Sequence, residues 1–220
     1  MTPKENSQKV FKYFSEKKGN QHIAGQYAIE KILDLIDLNR PTRILEVGLG
    51  IGSISYAVLN YYKQKNLIIS YDGTEENEFC LSQLEPNLGE LYTQLNIYKN
   101  IQSIHTNKKY DLIIIDGSDE SIGLIKGLIG IRGVLFIEGH RAVQTNKMKE
   151  IFPNHKYSEC VSDFKNPVYS PFPLENWSGG GQLIYTNPTA KQLLYLIKER
   201  LKTSFKYKIK RKIFDAKNKE

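Results

Sequence analysis

Apolar positions along the chain switch between helical spacing and short continuous runs, the two patterns that separate amphipathic helices from buried strands. From His22 to Leu38 the residues Ile23, Tyr27, Ile29, Ile32, Leu33, Leu35 and Ile36 recur at helical spacing, and Asn39-Arg40-Pro41-Thr42 stops that helix. Arg43 to Val47 then reads as a short buried strand, Gly48 to Gly52 as a tight turn, and Ile51 to Tyr62 as a helix with Ile54, Ala57, Val58 and Tyr61 on one face. Leu67 to Tyr71 reads as a second strand, and Thr74 opens the next helix. A helix end and a weak strand around Leu95–Tyr98 share the stretch from Leu91 to Ser103. Tyr110 to Ile115 is the clearest strand, followed by a predicted helix over Ser118–Ile129 and a strand over Val134–Ile137. A helix over Thr145–Phe152, strands over Lys156–Val161 and Gln182–Tyr185, and an amphipathic helix over Ala190–Arg200 complete the pattern. Residues 1–20 are polar and read as frayed or loosely helical.

Strands that alternate with helices predict an α/β fold: a doubly wound, mostly parallel sheet covered on both faces. The last two strands have no helix between them, which predicts a C-terminal antiparallel hairpin. In such sheets ligands bind beyond the C-terminal ends of the strands. That rule selects Gly48–Gly52, Asp72, Asn100–Ser103, Asp116–Asp119 and Glu138–Arg141 as the places to look for chemistry.

Composition narrows the classes. With 220 residues, 40% of them hydrophobic, the chain suffices for one sizeable core, expected over 1–197 with 1–20 as a polar extension and 198–220 as a basic tail. Sixteen Gly and eight Pro exclude collagenous and low-complexity classes. No apolar run approaches a bilayer span, the start of the chain lacks a secretory apolar core, and Cys80 and Cys160 form no metal spacing, so a cytoplasmic location is expected. Lys198–Lys212 carries eight cations against one acid, Glu199, which accounts for the whole net charge of +7. The body is therefore neutral. Nucleic acid is disfavoured as a partner because a basic face around the site would be expected for it.

The first turn reads Ile44-Leu45-Glu46-Val47-Gly48-Leu49-Gly50-Ile51-Gly52. A dinucleotide fingerprint would need glycine at position 53, where Ser53 stands instead. The resulting E-x-G-x-G-x-G pattern of Glu46, Gly48, Gly50 and Gly52 resembles the S-adenosylmethionine (SAM) loop of class I methyltransferases, which implies a Rossmann-like fold over about Ile23–Thr186. Asp72, 20 residues beyond Gly52, is the acid expected to accept the ribose hydroxyls. Asp116 closes the apolar strand, and Asp116-Gly117 places the resemblance closest to the small-molecule O-methyltransferases. Asp116 is accordingly assigned to the cofactor and to catalysis; capping of the following helix is its structural alternative.

In many of that group a divalent metal such as Mg²⁺ holds the acceptor hydroxyl with acids that correspond to Asp116 and Glu138. A further Asp or Asn commonly follows the second acid there; this chain has Gly139. His140, one residue on, is the candidate general base or substitute ligand, since imidazole titrates near neutrality, with a purely structural histidine as the alternative. Methyl transfer is an in-line displacement, so a site of this kind must align the acceptor oxygen and remove its proton.

The expected acceptor is a small molecule or a carbohydrate hydroxyl, including glycan or glycolipid precursors. RNA or protein methylation and an inactive binding module are the alternatives. His22, Gln26 and Tyr27 either lid the cofactor or belong to an ordinary amphipathic helix. His105 and His155 read as solvated, and the two cysteines as small core residues. The stretch Asp163–Gly181 carries Phe164, Tyr169, Phe172 and Trp177 and reads as an acceptor-pocket wall or a packed loop. Asn166-Pro167-Val168-Tyr169 within it is a misplaced, incomplete match to the signature of amino-group methyltransferases. The basic tail is expected either to fray or to touch an anionic membrane surface, where each cation contributes about 1 kcal/mol. Association into a homo-oligomer is compatible with the pattern.

Overall fold

Residues 1–105, 107–162, 180–206 and 209 are described by a computed structural model of the chain. Their sheet has seven strands: β1 (Arg43–Val47), β2 (Ser70–Thr74), β3 (Leu95–Tyr98), β4 (Tyr110–Ile115), β5 (Ile129–Glu138), β6 (Lys156–Val161) and β7 (Gly180–Tyr185). Their order is β3-β2-β1-β4-β5-β7-β6, with the first five parallel and β7 antiparallel to both neighbours. The doubly wound sheet and its C-terminal hairpin are as expected.

Alternation along the strands feeds two core layers. Leu112 and Ile114 of β4 face a layer covered by α1 (Pro3–Ser15), α2 (Gln26–Asn39), α3 (Ser53–Gln64), α4 (Glu78–Leu88) and Leu196 of the last helix. Ile113 and Ile115 face the other layer, closed by α5 (Ile125–Leu128) and by Met148 of α6 (Ala142–Ile151). The last helix, α7 (Ala190–Phe205), lies along β6 and runs five residues past the predicted end at Arg200.

Register does the positioning. Val47 pairs with Thr74 on one side and Ile115 on the other, and Ile115 pairs with Ile137. The four strands therefore end level. The next residue in each, Gly48, Glu75, Asp116 and Glu138, emerges at a common rim.

Three elements depart from the sequence expectation. Leu67 and Ile68 are exposed, the latter at 94%, and β2 starts only at Ser70. This strand is polar in composition, because Tyr71 and Asp72 find buried partners that hide them from a hydrophobicity reading. The helix predicted over Ser118–Ile129 is cut to single turns, as Gly123 and Gly127 weaken it by about 1 kcal/mol each, and β5 takes over at Ile129. Residues 3–15, expected to be frayed or only loosely helical, form a well-capped helix, fixed by a capping box in which Thr2 and Glu5 bond each other's backbone N–H. Val10 and Phe14 bury that helix against the body. Among the described residues no helix is long and apolar enough to cross a membrane.

Candidate active site

A cleft of about 870 Å³ opens over the rim, with Gly48, Gly50, Glu75, Asp116, Glu138 and Arg141 among its lining. Phe11, His22, Gln26 and Tyr27 bound it from the N-terminal segment, so the three residues singled out near the first predicted helix do border the cavity.

The glycine loop is tied to β2. The N–H groups of Gly48 and Leu49 both donate to the Thr74 carbonyl, at 3.1 and 3.0 Å. Gly50 N–H donates to Glu75 Oε2 at 2.8 Å. Gly48 and Gly50 have φ of +88° and +53°, which favours glycine. A Cβ on Gly50 would lie 2.5 Å from the His22 carbonyl oxygen, and one on Gly48 2.7 Å from Gly117 Cα. The backbone here is packed against backbone, open only toward the cleft. Gly52 does not line it; a Cβ there would meet the Leu88 side chain of α4 at 2.4 Å, so this glycine serves packing.

Glu46, the acid of the glycine pattern, points into the core. Its Oε2 accepts from Tyr71 Oη at 2.5 Å, and burial pushes its carboxyl well above the usual range. A cofactor-binding role for Glu46 is not what this placement supports.

Asp72 also requires correction. It sits in the middle of β2 opposite Leu45, is fully buried, and does not line the cleft. Its carboxylate accepts from Asn96 Nδ2 at 2.9 Å, Lys108 Nζ at 2.8 Å and Tyr110 Oη at 2.5 Å. Because β2 is shifted three residues onward, the acid at its end is Glu75. Oε1 of Glu75 accepts from the N–H groups of Glu76 and Asn77, at 3.0 and 2.8 Å, while Oε2 holds Gly50. The carboxylate is held in place over the loop. The signal for it in sequence was an acid directly after Tyr71-Asp72-Gly73-Thr74, once the strand frame is right.

Asp116 and Glu138 are brought together as anticipated, joined by a residue that sequence reading did not assign. Arg141 Nη2 donates to Asp116 Oδ1 at 2.9 Å and to the Asp116 carbonyl at 2.5 Å, and its Nε donates to the Glu138 carbonyl at 3.2 Å. Glu138 Oε2 stands 4.0 Å from the same guanidinium, and Glu138 Oε1 accepts from Gly25 N–H at 3.3 Å. Burial pushes both carboxyls up, Asp116 well above its usual value with Glu138 adding repulsion; Arg141 opposes the rise.

His140 is exposed and outside the cleft lining. Gly139, at φ +66°, turns the chain so that residue 141 rather than 140 returns to the rim. The base role expected for His140 loses its geometry. His155 is engaged with the Phe152 carbonyl at 2.6 Å.

The donor set does not fit a divalent metal. Asp116 and Glu138 share a guanidinium where a dication would sit, and Gly139 supplies no third ligand. Among the described residues no group of three or more His, Cys, Asp and Glu is arranged to hold a metal ion. For SAM the fit is better: a glycine cradle closed to any Cβ, a fixed carboxylate at the end of β2, and a further acid at the end of β4.

Solved methyltransferase structures share the fold of this chain. The Bacillus cereus O-methyltransferase bound to S-adenosylhomocysteine (SAH) superposes with a TM-score of 0.56, at 11% identity over 82% of this chain and 90% of that one. The SAH-bound methyltransferase of Podospora anserina gives 0.55, at 10% identity over 82% and 87%. The fold is that of the class I methyltransferases. A Pyrococcus horikoshii structure described as a candidate RNA methyltransferase also superposes, with a TM-score of 0.52 at 13% identity over 82% of this chain and 96% of that one. No protein-family model and no curated protein matches the sequence.

Proposed function

We propose that the chain is a SAM-dependent methyltransferase that acts on a hydroxyl of a small molecule or carbohydrate. The observation that carries this reading is Glu75, fixed by Gly50 at the end of β2 within a cleft whose floor is backbone. A carboxylate held there keeps an acceptor position on Oε2 for a ribose hydroxyl, without losing rotamer freedom on binding. The cofactor supplies a methyl group on a sulfonium, an electrophile that needs no activation. Gly48 and Gly50 allow close approach of its methionine part, and Asp116 closes the far side.

The chain must still deprotonate and orient the acceptor. Asp116 is the base we assign: it lines the cleft at the end of β4, and burial raises its proton affinity, which strengthens it as a general base. Arg141 holds Asp116 in place and supplies positive charge as the acceptor oxygen loses its proton. Glu138 fixes Arg141 and Gly25 in turn. This makes the reaction independent of a metal, in contrast to what the resemblance to the metal-using enzymes implies. The neutral body favours a small acceptor over RNA.

The test is calorimetry with SAM and SAH, then methyl transfer to phenolic and sugar-nucleotide acceptors with and without a chelator. Micromolar-or-tighter SAH binding and chelator-insensitive turnover are expected. No binding of either ligand overturns the reading.

A further inference from the structure

The two faces of α7 are inverted relative to an ordinary surface helix. Its buried positions are Gln192, Leu196, Glu199 and Thr203, three of them polar. These face the body through specific bonds: Thr203 Oγ1 donates to the Glu159 carbonyl at 2.7 Å, and Glu199 lies 3.9 Å from the buried ammonium of Lys31. The outward face carries Leu194, Ile197, Leu201 and Phe205, at spacings of three, four and four residues, with Leu194 70% and Leu201 67% exposed. That is one continuous apolar stripe along about three turns of helix.

Charge identifies what covers it. Lys198 is exposed beside the stripe; Lys191 and Arg200, also exposed, reach back to the Leu38 and Tyr157 carbonyls, and Lys202 pairs at 2.7 Å with Glu199, the only acid of α7, which is turned inward and 1% exposed. A helix that pairs with a second copy of itself usually flanks its seam with both signs of charge; this face offers cations only. The residues that follow, 206–212, add five more cations by sequence. An apolar stripe bordered by Lys and Arg with no acid is the pattern of a helix that lies in an anionic lipid interface.

We infer that the outer face of α7 docks the protein on an anionic membrane surface, inserting Leu194, Ile197, Leu201 and Phe205 between lipid headgroups. The docked edge adjoins the cleft. Lys206, at the end of α7, donates to Tyr27 Oη at 3.2 Å, and Tyr27 lines the cavity. The inference does not depend on the acceptor or on methyl transfer.

The experiment is co-sedimentation of the full chain with phosphatidylcholine vesicles, pure or mixed with phosphatidylglycerol, using wild type and Leu194→Glu/Leu201→Glu. Recovery on the mixed vesicles should exceed that on the neutral ones and fall with salt. The variant should lose at least about tenfold in partitioning, as removal of two inserted apolar side chains predicts. Unchanged SAH binding and thermal midpoint show that the variant is folded, and Leu201→Gln provides a milder comparison if it is not. Equal recovery of wild type and variants on mixed vesicles overturns the inference, since cations outside the stripe would then suffice. So does a wild-type dimer in sedimentation velocity that the variant dissociates, because the stripe would then belong to a second copy. Stripe-dependent binding of an RNA oligonucleotide without vesicle binding would also overturn it.

Discussion

Arg141 Nη2 stands 2.9 Å from Asp116 Oδ1 and 4.0 Å from Glu138 Oε2, so a single guanidinium serves two half-buried carboxylates at adjacent strand ends. Replacing it with Met leaves those acids facing each other without a cation. Arg141→Met is expected to lower methyl-transfer turnover about a hundredfold or more, the size of losing a transition-state donor, with SAH affinity changed little. Turnover and calorimetry measured on the same preparations check this. A requirement for added Mg²⁺ in wild type would contradict the built-in cation.

Glu75 and Asp72 make opposite predictions. Glu75→Ala is expected to weaken SAH binding by about 1.5–3 kcal/mol, the value of hydrogen bonds to a charged group, and to leave the body folded. Asp72→Asn should keep SAH affinity within a few fold and instead lower thermal stability, because Lys108 and Tyr110 lose their acceptor. If Asp72→Asn abolishes binding and Glu75→Ala does not, the ribose acid has been misassigned.

The buried carboxyls set a pH dependence of stability. Glu46, Asp116 and Glu138 are all raised, chiefly by burial. Each holds its proton more firmly in the folded than in the unfolded chain, so stability falls as pH climbs from the ordinary carboxylate range toward the raised values. Glu46→Gln removes one such group while keeping an acceptor for Tyr71 Oη. The thermal midpoint of Glu46→Gln should gain on wild type as pH rises above the ordinary glutamate value of 4.5. A gap that narrows over that range would show the opposite sign.

Gly50→Ala is expected to destabilise the fold by about 1–3 kcal/mol through left-handed strain and crowding of the His22 carbonyl, so it is no clean probe of ligand binding. Gly139→Ala provides the contrast. It also sits at positive φ, but nothing lies within 4 Å of its added methyl. Backbone strain alone, about 1–2 kcal/mol, should appear in its denaturation curve.

The rim of the sheet was readable because Ile44-Leu45 and Leu112–Ile115 are apolar runs buried on both faces, and the strands are followed at once by Gly48 and Asp116, residues that strands avoid. β2 was misframed by three positions because Leu67-Ile68-Ile69 outscores Ser70–Thr74 in hydrophobicity, although Ile68 is solvent-exposed. Buried hydrogen bonds, which no periodicity records, hold Tyr71 and Asp72 in the strand. That frame error moved the acid expected at the end of β2 from Glu75 to Asp72. Arg141 lay next to His140, and choosing between them needed the left-handed turn at Gly139. α1 was legible in principle, since Thr2-Pro3-Lys4-Glu5 spells a capping box, but its largely polar composition masked it. The predicted wall from Asp163 to Gly181 lies outside the described residues up to 179, and Gly180 and Gly181 belong to β7.

Gly48 and Gly117 meet with only backbone between them: a Cβ on the first lies 2.7 Å from the Cα of the second, and one on the second 3.0 Å from the Cα of the first. In evolutionary terms the two positions form a lock without a compensating key. Where a bulky side chain crowds another, a second substitution elsewhere restores the fit by shrinking the neighbour. Here each neighbour is already the smallest residue, so no second-site change relieves a methyl at either place without moving β1 or β4 themselves. Drift in this sequence is therefore expected to be free around the pair and closed at it, and a suppressor screen started from Gly48→Ala should return true revertants.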